Sequence, residues 1–422
     1  MRRFLAACSF MLILLPLAGY AQEPRIESIT LRGNAKTNGQ FLRGIIKVYE
    51  QGPLDSAQLE EDVQMLIRLP SIAHAYFQVF LVEGNLYRVF ITVEENFTLI
   101  PYFNIWTRGD QVWWTAGASE HNLLGRNMML DVFYQNNGKH SYGITYRAPF
   151  LVNAKWGTAL SFKDFVADEP VYFGDVVGNY EYKNRAFEGL ILYQANFFHR
   201  FEIGGSYFRE TFTHLIGADE ILEKPLFFEI DKLLLKFFHQ YYRVQQYYQY
   251  LNGYTTDLQV QHVRGIESYL APFNTLDLRA RYYKRVGGKG NFGARAFAGF
   301  STNVETPFAA YVVDDHANVR GVGDRVQRAS AVVNLNAEYR HTFWENSWCA
   351  FQGVGFTDFA SFRQPGAEWA SYISPENLYL NSGLGMRFIL KRVYSATLRV
   401  DYGVGLLQNN SRGLVLGLGQ YF

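Results

Sequence analysis

From Phe97 to the carboxy-terminus the chain alternates apolar and polar residues with a period of two. In TLDLRARYY, Thr275, Asp277, Arg279 and Arg281 share one face, with Leu276, Leu278, Ala280 and Tyr282 on the other. In RASAVVNLNAEYRHT, Arg328, Ser330, Asn334, Asn336, Glu338 and Arg340 oppose Ala329, Ala331, Val333, Leu335, Ala337 and Tyr339. In YSATLRVDYGV, Ser395, Thr397, Arg399 and Asp401 oppose Tyr394, Ala396, Leu398, Val400 and Tyr402. This period marks β-strands with one polar and one apolar face. It predicts sixteen strands, near 97-106, 112-120, 127-136, 141-148, 155-165, 178-196, 200-212, 231-243, 252-263, 273-284, 290-301, 327-343, 347-361, 378-391, 394-406 and 413-422.

Residues 25 to 95 follow another pattern. RIESITLRGN reads as a short strand closed by a turn at Gly33-Asn34. A helix is expected from an Asn38 cap, with Phe41, Ile45 and Val48 on one face and a stop at Gly52. A second helix places Leu59, Val63, Leu66 and Ile67 on one face, capped by Asp55 or Ser56. AYFQVFLVEGNLYRVFITVEEN reads as a hairpin turning at Glu83-Gly84-Asn85. The order strand, helix, helix, strand, strand makes a small α+β unit.

Two β architectures fit the long alternating region: a soluble sandwich or a transmembrane barrel. The polar face carries charges in strand after strand, which calls for a wet interior. The apolar face is rich in aromatics, which make up 17% of the chain, with 29 Tyr and 35 Phe. Both features favour an all-β transmembrane barrel of sixteen antiparallel strands, closed so that no edge meets lipid.

The amino-terminus supports export. Arg2 and Arg3 precede an apolar run from Phe4 to Leu17, and Gly19-Tyr20-Ala21 is a small-x-small cleavage site. Residues 1-21 are read as a signal peptide, 22-96 as the soluble domain and 97-422 as the barrel. Losing Arg2 and Arg3 leaves a formal net charge of −1, so no field suited to nucleic acid follows. Cys349 is the one cysteine beyond the leader and reads as a lipid-facing small residue.

Enzyme chemistry finds little support. Glu60-Glu61-Asp62 reads as a solvated helix face rather than a metal site. Asp314-Asp315-His316 reads as a solvated loop, with cation binding as the alternative. GVGDR lacks the Lys and following helix of a phosphate loop. No catalytic residue, metal site or cofactor is expected.

The soluble unit resembles a POTRA domain, with LRGN closing its first strand and VEEN its last. One POTRA before a sixteen-stranded barrel resembles the BamA/TamA superfamily of outer-membrane assembly and secretion proteins, also called bacterial surface antigens. SEHNLLGRN (Ser119 to Asn127) is similar to the family's turn between the second and third strands. YGITYRAPFL (Tyr142 to Leu151) resembles its fourth strand. VRGVGDR (Val319 to Arg325) resembles its VRG[F/Y] signature, carried on a sixth outer loop that folds into the lumen. The triplet recurs at Val263-Arg264-Gly265, but five strands follow Arg320, as the family architecture requires. Val322 stands where the family has an aromatic.

The resemblance implies roles. Val319, Arg320, Gly321, Val322 and Gly323 form the lumenal loop motif. Glu338 and Asp358 are the acidic partners of Arg320, with Gln352 on the same side. A bare reading of the charges leaves Arg320 as a solvated loop residue beside Asp324. The seam that closes the barrel should be poorly hydrogen-bonded at Pro101, Gly417, Gly419 and Phe422, with Leu414, Leu416, Leu418 and Phe422 facing outward. That seam is either short and closed or a lateral gate. Tyr76, Gln78 and Phe80 mark the POTRA edge that would add a client strand.

The implied function is docking of unfolded or secreted client proteins in the periplasm, then insertion or transport through a barrel in the bacterial outer membrane. Outer-membrane lipids and accessory assembly subunits are further expected partners. A secretion pore dedicated to one partner protein and a passive diffusion channel remain the alternatives.

Overall fold

The computed structural model describes residues 23-108, 111-173, 176-266, 270-303, 310-314, 318-323, 327-407 and 411-422. The expected signal peptide, 1-21, lies outside the described residues.

The head begins with β1 (Arg25–Arg32), α1 (Gly39–Ile45) and α2 (Ser56–Ile67), then β2 (Ile72–Glu83) and β3 (Leu86–Glu95). Its sheet order is β1-β3-β2, with β1 parallel and β2 antiparallel to the central strand. Asn38 caps α1 by accepting from the Phe41 N–H, and Asp55 caps α2 by accepting from Ala57 and Gln58. Both caps satisfy donors that a helix start leaves orphaned. Helix α1 stops at Ile45, short of the expected Gly52. The carboxylate of Asp62 accepts from the Lys47 and Val48 N–H groups at 2.8 and 2.9 Å, holding the chain in a turn instead. Asp62 is therefore buried, not part of a solvated face. One face of α2, carrying Leu59, Val63, Leu66 and Ile67, packs on Ile26, Ile29, Val89, Ile91 and Val93 of the sheet.

The barrel wall follows: β4 (Leu99–Arg108), β5 (Gln111–Leu123), β6 (Met128–Asn136), β7 (His140–Ala148), β8 (Trp156–Phe173), β9 (Val176–Gln194), β10 (His199–Gly217) and β11 (Phe227–Tyr247). Then come β12 (Tyr250–Gly265), β13 (Phe273–Val286) and β14 (Gly290–Ser301). A short hairpin, β15 (Tyr311–Val313) and β16 (Gln327–Ala329), interrupts the wall. It resumes with β17 (Ala331–Glu345), β18 (Cys349–Arg363), β19 (Leu378–Leu390), β20 (Thr397–Gly405) and β21 (Arg412–Leu418). Sixteen of these strands form one antiparallel sheet in chain order, with β14 paired to β17.

The outward positions are apolar and exposed: Leu276, Leu278, Tyr282, Leu335, Tyr339, Leu398, Val400 and Tyr402 all lie there. The opposite positions, including Asn334, Asn336, Glu338, Arg340, Arg399 and Asp401, are buried. Polar inside and apolar outside is the inverse of a soluble sandwich and suits a wall that faces lipid. Aromatic pairs such as Trp156–Tyr193, Phe198–Tyr241 and Phe351–Phe388 line the end near the head, as in an interfacial belt.

Several strand bounds depart from expectation, among them β10, which runs to Gly217, and β11, which spans Phe227–Tyr247. Strand β8 runs on to Phe173, because 166-173 keep pairing with β9 up to Val176. Strands β8 to β11, at 18 to 21 residues, exceed the nine to eleven a barrel strand needs to cross a bilayer. Outside the bilayer, strict apolar alternation is no longer required. Residues 327-329 belong to the small hairpin, not to β17. Strand β21 ends at Leu418, where Gly419 takes a φ of +81° and turns the chain inward.

The head rests on the near mouth of the barrel. Asn38 N–H donates to the Gly125 carbonyl at 2.8 Å, and Ser71 N–H to the Asn127 side chain at 2.9 Å. Both acceptors lie in the SEHNLLGRN turn. Tyr248 donates to Glu94 at 2.8 Å, and Arg392 pairs with the same carboxylate at 2.8 Å.

Candidate functional site: an arginine clasped inside the lumen

After β14 the chain re-enters the barrel rather than staying on its rim. Val319 and Arg320 are fully buried. Residues 304-309, 315-317 and 324-326 lie outside the described residues, among them Asp315, His316 and Asp324.

Arg320 is gripped from two strands. Its Nε and Nη2 donate to Asp358 on β18 at 2.8 Å each, a two-pronged fit between planar groups. Its Nη1 donates to Glu338 on β17 at 2.7 Å. Its backbone N–H also donates to Asp358, at 3.0 Å. The guanidinium is stacked between the rings of Phe356 and Tyr421, 3.6 and 4.2 Å from their centroids. All three charged side chains are closed off from solvent.

The structure thus brings Arg320, Glu338 and Asp358 together. Gln352 is not part of the group; it donates to Thr342 instead. Arg264, in the other triplet, is exposed on the outer wall.

The loop backbone is pinned as well. Asn334 and Asn336 donate to the Asn318 carbonyl at 2.8 and 2.9 Å. Asn381 donates to the Arg320 carbonyl at 2.9 Å. Gly321, at a φ of +83°, passes against Gly403 of β20; a Cβ on Gly321 would lie 2.6 Å from the Gly403 carbonyl oxygen. A Cβ on Gly403 would lie 2.3 Å from the Arg320 carbonyl oxygen. The contact therefore needs glycine on both sides. Val322, which stands where the resembled family has an aromatic, packs beside Val313, Val319, Phe362 and Tyr379. Gly323 continues the turn at a φ of +112°.

Around this clasp lies a wider charged network. Arg340 donates to Glu338 at 2.5 Å, and Arg387 grips Asp401 at 2.6 and 3.1 Å. Arg320 lies 3.8 Å from Asp401, as does Arg399. Arginines and carboxylates alternate, so each buried charge faces one of opposite sign. Burying a lone ion costs several kcal/mol, and an alternating network offsets this only while every member is present.

Sequence reading missed Asn381, Arg387, Gly403, Phe356 and Tyr421. Arg340, Arg399 and Asp401 had been placed on inward faces, but their pairing could not be read from strand period. No local signal marks Tyr421 or Gly403; their roles come from how the loop crosses β20 and how the terminus turns.

The expected seam residues are placed as follows. Pro101 lies in β4, at the sheet's edge, where a missing N–H is tolerated. Gly417 pairs with Arg399, and a Cβ there would strike that guanidinium. Leu414, Leu416 and Leu418 face outward and are exposed. Phe422 does not: beyond Gly419 the terminus enters the lumen, where Arg340 donates to its oxygen at 2.9 Å and Arg295 sits over its ring. The cations inside outweigh the apolar pull of an outward position. Among the described residues no ladder joins β4 to β21. In the head, Tyr76, Gln78 and Phe80 are exposed along β2, an edge strand.

These features define a class: a sixteen-stranded membrane β-sheet with a loop clasped in its interior and a small α+β head at its mouth. Solved structures with this fold include BamA from Haemophilus ducreyi lacking POTRA domains 1-3, at a TM-score of 0.57 and 12% identity over 93% of this chain and 84% of that one. CdiB from Acinetobacter baumannii matches at 0.57 and 14% identity, over 94% of this chain and 74% of that one. CdiB from Escherichia coli matches at 0.51 and 9% identity, over 95% and 92%. At these identities the likeness is one of fold. No family model and no curated protein matches the chain.

Proposed function

We propose that this chain is a bacterial outer-membrane factor that inserts or transports polypeptides, working without catalysis. The head is read as a single POTRA domain in the periplasm. Clients dock by adding a strand to the free edge of β2 at Tyr76, Gln78 and Phe80. They then meet the unjoined edges of β4 and β21, so their backbone groups never face lipid unpaired. The observation that carries this reading is the Arg320 clasp, which spends three buried charges on holding one loop inside a barrel. A constricting loop held by Arg320 would suit a passive pore as well, so client crosslinking has to separate the two. Outer-membrane lipids surround the wall, and accessory subunits have the exposed faces of the head available to them.

A photo-crosslinking residue at Phe80 and another at Leu416, in living cells, test this. Adducts with many membrane-protein clients at both positions are expected. Adducts with a single partner would make the chain a dedicated secretion pore. Ion conductance without any adduct would make it a passive channel.

A further inference from the structure

Between the head and the barrel mouth lies a separate cavity of about 940 Å³. Its wall carries six cations, Arg68, Arg147, Arg200, Arg281, Arg340 and Lys391, and no Asp or Glu side chain lines it. Behind the wall the balance is incomplete. Arg147 and Arg200 share Glu202. Arg281 pairs with Asp257, Arg340 with Glu338 and Lys391 with Glu345. Arg68, projecting from the end of α2, makes no hydrogen bond to a carboxylate among the described residues, and of the carboxylates only Glu61 attracts it at longer range. It donates only to the carbonyls of Phe197 and Tyr242, at 2.5 and 3.4 Å, and its Nε has no partner. The rings of Phe197 and Tyr242 flank its guanidinium at 3.8 and 4.5 Å. Burial pulls the Arg68 pKa down to about 10. An arriving carboxylate would relieve that cost through the Nη hydrogens that the two carbonyls leave unused.

Phe422 also reaches this cavity, where its backbone oxygen accepts from Arg340 at 2.9 Å. A second cavity of about 670 Å³ runs along the start of β2, past His74, Ala75, Tyr76 and Phe77. The two adjoin at Ile67, Gln246 and Leu251, which line both. A strand added to β2 would therefore continue into the cation-lined chamber.

We infer that this chamber receives acidic, extended polypeptide segments, which bind through carboxylates at Arg68 and Arg200 after docking along β2. The inference rests on the client-handling reading and adds the chemical class of client. A short synthetic peptide alternating Asp and Val, and its Lys-for-Asp counterpart, are titrated into the full-length protein in detergent micelles. The Asp peptide should bind at least about tenfold more tightly, and added salt should erode the difference. Arg68→Gln should lower its affinity about tenfold. Arg200→Gln, which leaves Glu202 paired with Arg147, should do the same without touching the head. Heat-modifiability confirms that each variant is folded. Equal binding of both peptides, no binding, or wild-type affinity in both variants overturns the inference. So does displacement of the peptide by an equal concentration of inorganic phosphate, which would reveal a general anion site. The client adducts at Phe80 remain a separate readout. Adducts without acidic preference sink only this inference, whereas no adducts at all sink the client-handling reading beneath it.

Discussion

The interior of the head and the part of the lumen beside β17 to β21 are both closed to solvent, yet they are built on opposite chemistry. The head's interior is dry, with Ile26, Leu42, Leu59, Leu66, Val89 and Ile91 all fully buried. The lumen beside β17 to β21 is filled with arginines, carboxylates and amides, and Arg320, Arg340 and Arg387 are among the largest fully buried side chains. A hydrophobic core tolerates loss in proportion to the atoms removed. A charged core works as a unit, because each member neutralises several others. Loss of one apolar contact should therefore stay local in the head, whereas loss of one charge should loosen the whole clasp.

The sharpest way to break the comparison is at Asp358. Asp358→Ala should leave the Arg320 guanidinium short of its two-pronged partner and cost about 3–5 kcal/mol in loop seating. A cysteine at Val322, in a Cys349→Ser background, should pass from protected to readily labelled while the barrel stays heat-modifiable. Arg320→Ala should have the same effect, and the double variant should add little to either. Fully additive effects would show that the lumen is no more cooperative than the head.

Leu59→Ala or Leu66→Ala, next in size, should cost about 2–5 kcal/mol, since each side chain lies at the centre of the α2 face. The loss should appear as earlier denaturant unfolding of the head, with labelling at position 322 unchanged. A loop that loosened in response would mean that the two interiors are coupled. Asp55→Ala, which removes the α2 cap, should cost about 1 kcal/mol and be confined to the head.

The smallest expected effect concerns pH at the contact between the two regions. His74 of β2 packs against Tyr247 and Tyr248 of the barrel. Burial lowers its pKa from the usual 6.5, and nearby Arg392 adds to this while Glu94 opposes it. The docked state thus binds fewer protons than a detached head would. Docking should weaken as pH falls through about 6.5 and stop changing below the lowered value. Hydrogen exchange at β2 should follow this curve in the native chain and lose it in His74→Phe.

Much of the fold was legible because a lipid-facing sheet imposes its period on the sequence. The inward and outward sets in 273-284 and 397-405 are those the structure shows, and the number of strands follows from counting such segments. Tyr394, expected on the outward face, instead lies in the turn before β20, where it packs on His121 and lines the cavity below the head. The two head helices were legible from their caps and the Leu59–Leu66 face. The reading was weakest where the bilayer's demand lapses. In β8 the ladder outran the alternation, and at α1 a buried Asp62 from another element ended the helix early.

The site was legible only in outline. Alternation alone placed Glu338 and Asp401 on a polar face, and the family resemblance singled out Arg320 with its acidic partners. Arg387, Tyr421 and Gly403 could not be foreseen. Gly403 meets the loop from β20, Tyr421 meets it from the inward-turned terminus, and Arg387 joins from β19 through Glu338 and Asp401; no spacing along one strand records such a meeting.

The sequence by itself therefore determined the strands, their two faces, the head's dry core and the presence of charge inside. These depend on the period of the backbone and the preference of each side chain for lipid, water or apolar neighbours. Tertiary structure alone decided which charges pair, where the loop re-enters and where the terminus turns inward. Electrostatic pairing acts through space, and a guanidinium needs acceptors within about 3 Å whatever their distance along the chain.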